Sequence, residues 1–159
     1  MIRALEKTDV PRIAEIHVFA QRTVYRGFVP DEFLFGKMTV HKRIEYFYEN
    51  ETEGHVFDDG FIKGFITLGP CKDADKPGCF ELYRIFVDPL IFGQGIGGKL
   101  AAHAEKVAKE QGHNEIYLWV LEGNKNARSF YDRLGYVADG AVRISGYFGV
   151  PEVRYIKRV

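Results

Sequence analysis

The stretch Phe92–Leu100, FGQGIGGKL, constrains this chain more than any other, because it packs four glycines into the seven residues from 92 to 98. A strand pattern precedes it and a helix pattern follows. Glycine lets the backbone adopt conformations that a Cβ would block. The opening turn of a helix leaves N–H groups without partners, and these converge on one point with the positive end of the helix dipole. A chain so arranged presents a main-chain site for a phosphate.

Hydrophobic periodicity gives the rest of the framework. Ile2–Leu5 reads as a short strand. Thr8 or Asp9 then caps a helix that accepts Pro11 in its first turn and carries Ile13, Ile16 and Ala20 on one face. After a turn at Gly27 and Pro30, Val40, Ile44 and Phe47 mark a second helix ending before Gly54. The period then shortens. HVF, the turn Asp58-Asp59-Gly60 and FIKGFITL predict a hairpin, and a polar loop from Gly69 to Gly78 leads into the strand CFELYRIFV, which Asp88 and Pro89 end. A helix is expected over 97–111 with Gly112 as its C-terminal cap, followed by NEIYLWVL as a central strand. Asn124 or Asn126 caps a short helix through Ala127, Phe130, Tyr131 and Leu134 up to Gly135. Strands around 136–144 and 153–157 finish the chain.

This order predicts a single α/β domain over residues 1–159, with no internal repeat and no linker. At this length a domain buries about 70% of the surface its unfolded chain exposes. The composition, 46% hydrophobic and 28% charged, is that of an ordinary soluble protein. Lys plus Arg and Asp plus Glu number 22 each, so no net field draws the chain to nucleic acid or to an anionic membrane. The N-terminus has the wrong pattern for a signal peptide, and no apolar run is long enough to span a bilayer. Cys71 and Cys79 are too few for a four-thiolate zinc site. They read as free thiols in a reducing, cytoplasmic setting, with a bridge across KDADKPG as the alternative. None of the five histidines has metal-ligand spacing, and no metal is expected.

Three kinds of phosphate loop compete for the glycine cluster. Gly93, Gly95 and Gly98 satisfy GxGxxG, with Glu122 as a ribose-binding acid, but Asp88 to Phe92 separate the glycines from the strand and too little chain remains for a doubly wound sheet. Gly93, Gly98 and Lys99 fit GxxxxGK, but Leu100 stands where magnesium needs Ser or Thr. The third reading rests on two linked stretches. ELYRIFVDPLIFGQGIGGKL resembles the strand, Pro-containing bend and (Gln/Arg)xxGx(Gly/Ala) loop of the GNAT acetyltransferase superfamily. NKNARSFYDRLGY resembles that family's NxxAxxxYxxxGF signature at Asn124, Ala127, Tyr131, Gly135 and Tyr136, and IHVFAQRTVYRGFVPDEFL looks like the N-terminal helical region of its small members. One departure stands out: Phe92 occupies the Gln/Arg position.

The resemblance implies the acyl-CoA N-acyltransferase fold, a mixed and mostly antiparallel sheet of six to seven strands flanked by helices. It implies transfer of an acetyl group from acetyl-coenzyme A to a primary amine by direct attack. Cofactor contacts would come from backbone groups of Phe86 and Val87, from Phe92, Gly93, Gln94, Gly95, Ile96, Gly97, Gly98 and Lys99, and from Asn124 and Tyr131. An ammonium of pKa near 10.4 must lose a proton before it attacks. Glu81 stands where several family members carry a catalytic glutamate, and pairing with Arg84 or Arg143 is its purely structural alternative. The N–H of Ile85 would stabilise the oxyanion where the strand splays from NEIYLWVL. Tyr131 would reprotonate the leaving thiolate, with core packing beside Phe130 and Leu134 as the alternative. The acceptor, a small-molecule or peptide amine, would meet Tyr25, Arg26, Phe28, Tyr147, Phe148 and Glu152. A homodimer is left open, and a coenzyme A sensor without turnover is the rival from another class.

Overall fold

The computed structural model describes residues 1–71 and 73–159. Among these, seven strands join in the hydrogen-bonded order β1-β2-β3-β4-β5-β7-β6. They are β1 (Ile2–Ala4), β2 (His55–Asp58), β3 (Ile62–Pro70), β4 (Phe80–Val87), β5 (Glu115–Leu121), β6 (Val137–Ile144) and β7 (Pro151–Arg158). The helices are α1 (Val10–Val24), α2 (Val40–Glu49), α3 (Ile96–Glu110) and α4 (Lys125–Arg133). The β4–β5 pair is parallel, whereas β1–β2, β2–β3, β5–β7 and β7–β6 are antiparallel, so the sheet is mixed as expected. The chain forms two compact units, residues 1–67 with 84–103 and residues 68–83 with 104–159.

In the first unit, Val10, Ile13, Ala14 and Ile16 of α1 close on Phe47, Val56 and Phe65, all buried. The expected stripe of Ile13, Ile16 and Ala20 is the buried face. The start of α1 differs from expectation. Asp9 holds the N-cap place, yet its carboxylate does not cap α1. It accepts from the Glu6 amide at 2.9 Å and from both Arg3 Nη groups, closing a 3₁₀ turn over Lys7–Asp9 that periodicity does not announce. The Arg3 guanidinium accordingly holds Asp9 below the usual carboxylate range. A π-helical turn at Glu32–Lys37, with Leu34 buried, stands where only a turn is expected. Thr39 caps α2 through its side chain.

Gly64 marks a close approach of two backbones in this unit. A Cβ there would lie 2.8 Å from Phe86 O and 3.1 Å from Leu100 Cδ1. The neighbouring Lys63 O accepts from the Asp88 amide at 2.8 Å. Asp88 is also ion-paired with Arg12 and caps the short 3₁₀ turn Pro89–Ile91 by accepting from Leu90 N.

In the second unit β5 is central, with Ile116, Tyr117 and Leu118 buried and seven consecutive residues paired with β7. The chain 73–79 between β3 and β4 is held by ion pairs. Arg154, its side chain 5% exposed, bonds Asp73, Asp75 and Asp139, and the Trp119 indole N–H donates to Asp73 at 2.8 Å. Arg143 bonds Asp73 and stacks its guanidinium 4.0 Å from the Trp119 ring centroid. Cys71 and Cys79 are free thiols, and their backbones pair across the neck of this loop at 2.9 Å. Burial pushes the Cys79 thiol up to about 11.

Candidate functional site

After Val87 the chain turns through Pro89–Ile91 and reaches the glycines. Gly93 and Gly95 take φ values of 84° and 74°, left-handed backbone that a Cβ resists. Nothing lies within 4 Å of where a Cβ would stand at Gly93, Gly95 or Gly98, so the loop faces open space. The amide of Ile91 bonds Asp88 O and that of Lys99 bonds Gly95 O. Among the described residues no amide between them meets a backbone acceptor. α3 begins at Ile96 rather than Gly97, because the Ile96 side chain is buried and anchors the first turn. The result is a bare helix N-terminus preceded by two left-handed glycines, which fits a diphosphate bound by main-chain N–H groups. Phe92 is 47% exposed and Lys99 Nζ rests 5.5 Å from the Phe57 centroid, so neither is committed to the core.

The second unit holds the acid. Glu81 is buried and accepts from the Tyr117 hydroxyl at 3.3 Å. Burial, then a bond to the Cys71 side chain, then the Glu81 charge push that hydroxyl well above the ordinary tyrosine value, so it stays protonated and keeps donating. Arg84 donates to Tyr46 and Thr67, and Arg143 bonds Asp73 and Glu152. In the parallel ladder of β4 with β5, Phe80 pairs with Ile116 and Glu81 with Tyr117, which sets the glutamate beside the tyrosine. Ile85, Phe86 and Val87 lie further along β4, in the first unit, where the Phe86 ring sits 4.5 Å from His17 and 5.8 Å from Phe65.

Asn124 is buried and caps α4, its Oδ1 accepting from Ala127 N at 3.1 Å. Tyr131 is buried on α4, with ring contacts to Phe130, Tyr136 and Tyr155 at 5.2, 5.7 and 6.2 Å. Of the acceptor candidates, Tyr25 and Phe28 meet at 5.7 Å in the first unit, where Arg26 pairs with Asp31 at 3.8 Å. In the second unit Tyr147 packs edge-on against Phe148 at 4.9 Å, and Glu152 is committed to Arg143. Tyr117 escapes sequence reading because its role depends on the β4–β5 register, which nothing local specifies. No cluster of metal-ligating side chains occurs among the described residues, and no described helix is long and apolar enough to cross a membrane.

A mixed seven-stranded sheet flanked by helices, with a glycine-opened helix, is the acyl-CoA N-acyltransferase class of fold. The model of the acetyltransferase (GNAT) family matches residues 10–136, and the chain belongs to that family, whose members transfer acetyl groups from acetyl-coenzyme A to amines. An uncharacterized N-acetyltransferase of Methanocaldococcus jannaschii is 31% identical over 141 residues, 85% of this chain and 59% of that protein. A spermine/spermidine N(1)-acetyltransferase of Bacillus subtilis is 33% identical over 95 residues, 57% of this chain and 62% of that one. The crystal structure of a PaiA N-acetyltransferase from Thermoplasma acidophilum in complex with coenzyme A superposes with a TM-score of 0.71 at 24% identity, covering 100% of this chain and 99% of that one. That likeness shows the fold.

Proposed function

We propose that the chain acts as one acetyltransferase domain in the cytoplasm, moving an acetyl group from acetyl-coenzyme A to a primary amine by direct attack. The observation that carries this reading is the glycine-rich turn from Phe92 to Gly98 that opens α3, whose amides meet no backbone acceptor among the described residues, in a chain that belongs to the family. When bound, acetyl-coenzyme A supplies the acetyl thioester. The amides of Gly93 to Gly98 hold its diphosphate with Lys99 adding charge, while Asn124 and the β4 backbone at Phe86 and Val87 hold the pantetheine arm.

Glu81 Oε is the proton acceptor for the acceptor ammonium, directly or through one water. The Tyr117 hydroxyl donates to Glu81 Oε2 and so helps to orient the carboxylate. The Ile85 N–H on β4 is the oxyanion donor. The Tyr131 hydroxyl returns a proton to the leaving sulfur. Tyr25, Phe28 and Tyr147 supply aromatic walls for the acceptor.

Thiol release from acetyl-coenzyme A, followed across a panel of amines, tests this directly. Glu81→Gln is expected to lower kcat by about 10²-fold or more, and Tyr131→Phe by about tenfold. Coenzyme A binding with no thiol release from any amine would favour a sensor, a reading to which Phe92 at the Gln/Arg position lends support. Wild-type turnover in both variants would remove the two roles.

A further inference from the structure

The second unit contains two thiols that the acetyl transfer does not use. Cys71 directly follows β3 and Cys79 directly precedes β4, both are partly exposed, and the chain has no other cysteine. The Cys71 N–H donates to the Cys79 carbonyl at 2.9 Å. Opposed residues bonded in this way hold their Cα atoms about 5.5 Å apart. A disulfide spans about 4.4–6.8 Å between Cα atoms, so the backbone already brings the two residues within its reach.

Their surroundings differ. Cys79 Sγ lies 3.7 Å from Glu115 Oε1 and 3.8 Å from Glu115 O, and burial followed by the Glu115 charge keeps this thiol protonated. Cys71 Sγ donates to Lys76 O at 2.8 Å and lies 3.4 Å from Asp73 O. It also reaches the Tyr117 hydroxyl, which donates to Glu81 Oε2 at 3.3 Å. The Cys71 sulfur is therefore two contacts from the proposed base. Replacing its hydrogen by a bond to Cys79 takes the donor from Lys76 O and moves the sulfur that Tyr117 rests on.

We propose that Cys71 and Cys79 form a reversible thiol–disulfide site that answers to small-molecule disulfides, and that closing it lowers turnover by disturbing Tyr117 beside Glu81. The second half rests on the proposed acetyl transfer, whereas the first is testable without turnover. The Cys71 thiolate attacks a small disulfide, forms a mixed disulfide and expels one small thiolate. The Cys79 sulfur, passing its proton to the Glu115 carboxylate, then attacks the Cys71 sulfur and expels the second. Both leaving groups take up a proton, so two protein thiols are oxidised as one small disulfide is reduced to two thiols.

Equilibrating the whole chain in glutathione buffers of rising oxidised fraction, then alkylating and weighing the intact protein, tests the site. Both alkylatable thiols are expected to disappear with no glutathione attached, and to return with dithiothreitol. In Cys79→Ser, one glutathione is expected to remain on Cys71. Two free thiols at every ratio, or glutathione adducts without the internal bond, overturn the site. Turnover, read as acetylated amine by mass spectrometry, is expected to fall about tenfold in kcat in the bridged protein with coenzyme A affinity unchanged. Reduced Cys79→Ser should match the reduced wild type, and Tyr117→Phe should turn over alike in both redox states. Equal rates in bridged and reduced wild type, or a matching loss of coenzyme A affinity, overturn the route through Tyr117. A bridge that forms in a chain acetylating no amine leaves the thiol–disulfide site standing and fails the acetyltransferase reading, and with it the second half.

Discussion

Two loops flank β4 in sequence and are built on opposite rules. The loop at 73–79 satisfies nearly everything it carries: Asp73 and Asp75 meet Arg154, Lys76 meets Glu115 at 2.9 Å, and the Gly78 carbonyl meets the His113 ring nitrogen at 2.9 Å. The loop at 92–95 satisfies almost nothing, with left-handed glycines, open space at each absent Cβ and amides that meet no backbone acceptor among the described residues. Side-chain ion pairs fix the first loop as part of the fold. The second exposes its main chain and therefore has something left to give a ligand. Unspent hydrogen-bonding capacity, more than glycine content, distinguishes a binding loop from a structural one.

The comparison breaks if the two loops respond alike to mutation. Arg154→Ala removes a buried guanidinium from Asp73, Asp75 and Asp139, leaving Asp73 to Arg143 and Trp119, and is expected to cost about 3 kcal/mol of stability while leaving coenzyme A affinity unchanged. Urea denaturation and calorimetry check the two halves. Gly95→Val should do the reverse. With no atom within 4 Å of its Cβ position the loop can relax out of its left-handed turn at little cost in stability, but the amide array is lost. Coenzyme A affinity is expected to fall about 30-fold, roughly 2 kcal/mol. A cofactor defect in Arg154→Ala equal to that of Gly95→Val would erase the distinction.

Acid separates the units that carry the loops. His17 is buried and neutral in the first unit, with a folded pKa held below the unfolded value of about 6.5. The unfolded chain thus takes up a proton that the folded chain refuses, and stability falls as pH drops below 6.5, by about 1 kcal/mol over the first unit of pH. His55, lowered by burial, adds in the same direction. His17→Leu should flatten that slope in urea midpoints measured at pH 7 and 5.5, whereas Arg154→Ala should not. The smallest effect is Trp119→Phe, which removes one hydrogen bond to Asp73 and is expected to cost about 0.5–1 kcal/mol. A cost above that of Arg154→Ala would mean that the indole holds the 73–79 loop more firmly than that arginine does.

Local patterns were enough to place the loop and the strands. Four glycines before a periodic run locate α3 within one residue, and alternation finds every strand from β2 to β5 because each pattern needs only its neighbours. What could not be read depends on distant partners. Arg154 lies 81 and 79 residues from Asp73 and Asp75 in the chain, and no local signal joins them. The Tyr117 contact with Glu81 follows from the register between strands 36 residues apart. The π-helical turn at 32–37 was missed because EFLFGK has neither a cap nor a clean period.

Gly64 carries a last consequence. Its α-hydrogen occupies the gap in which any side chain would strike the Phe86 carbonyl and wedge β3 from the far end of β4. A randomised codon at position 64, screened for folded protein, should return glycine and little else. Protein engineers seeking to stiffen this scaffold by swapping glycines for alanine should therefore begin at Gly36 or Gly146, where there is room and an ordinary backbone angle, and leave this one alone.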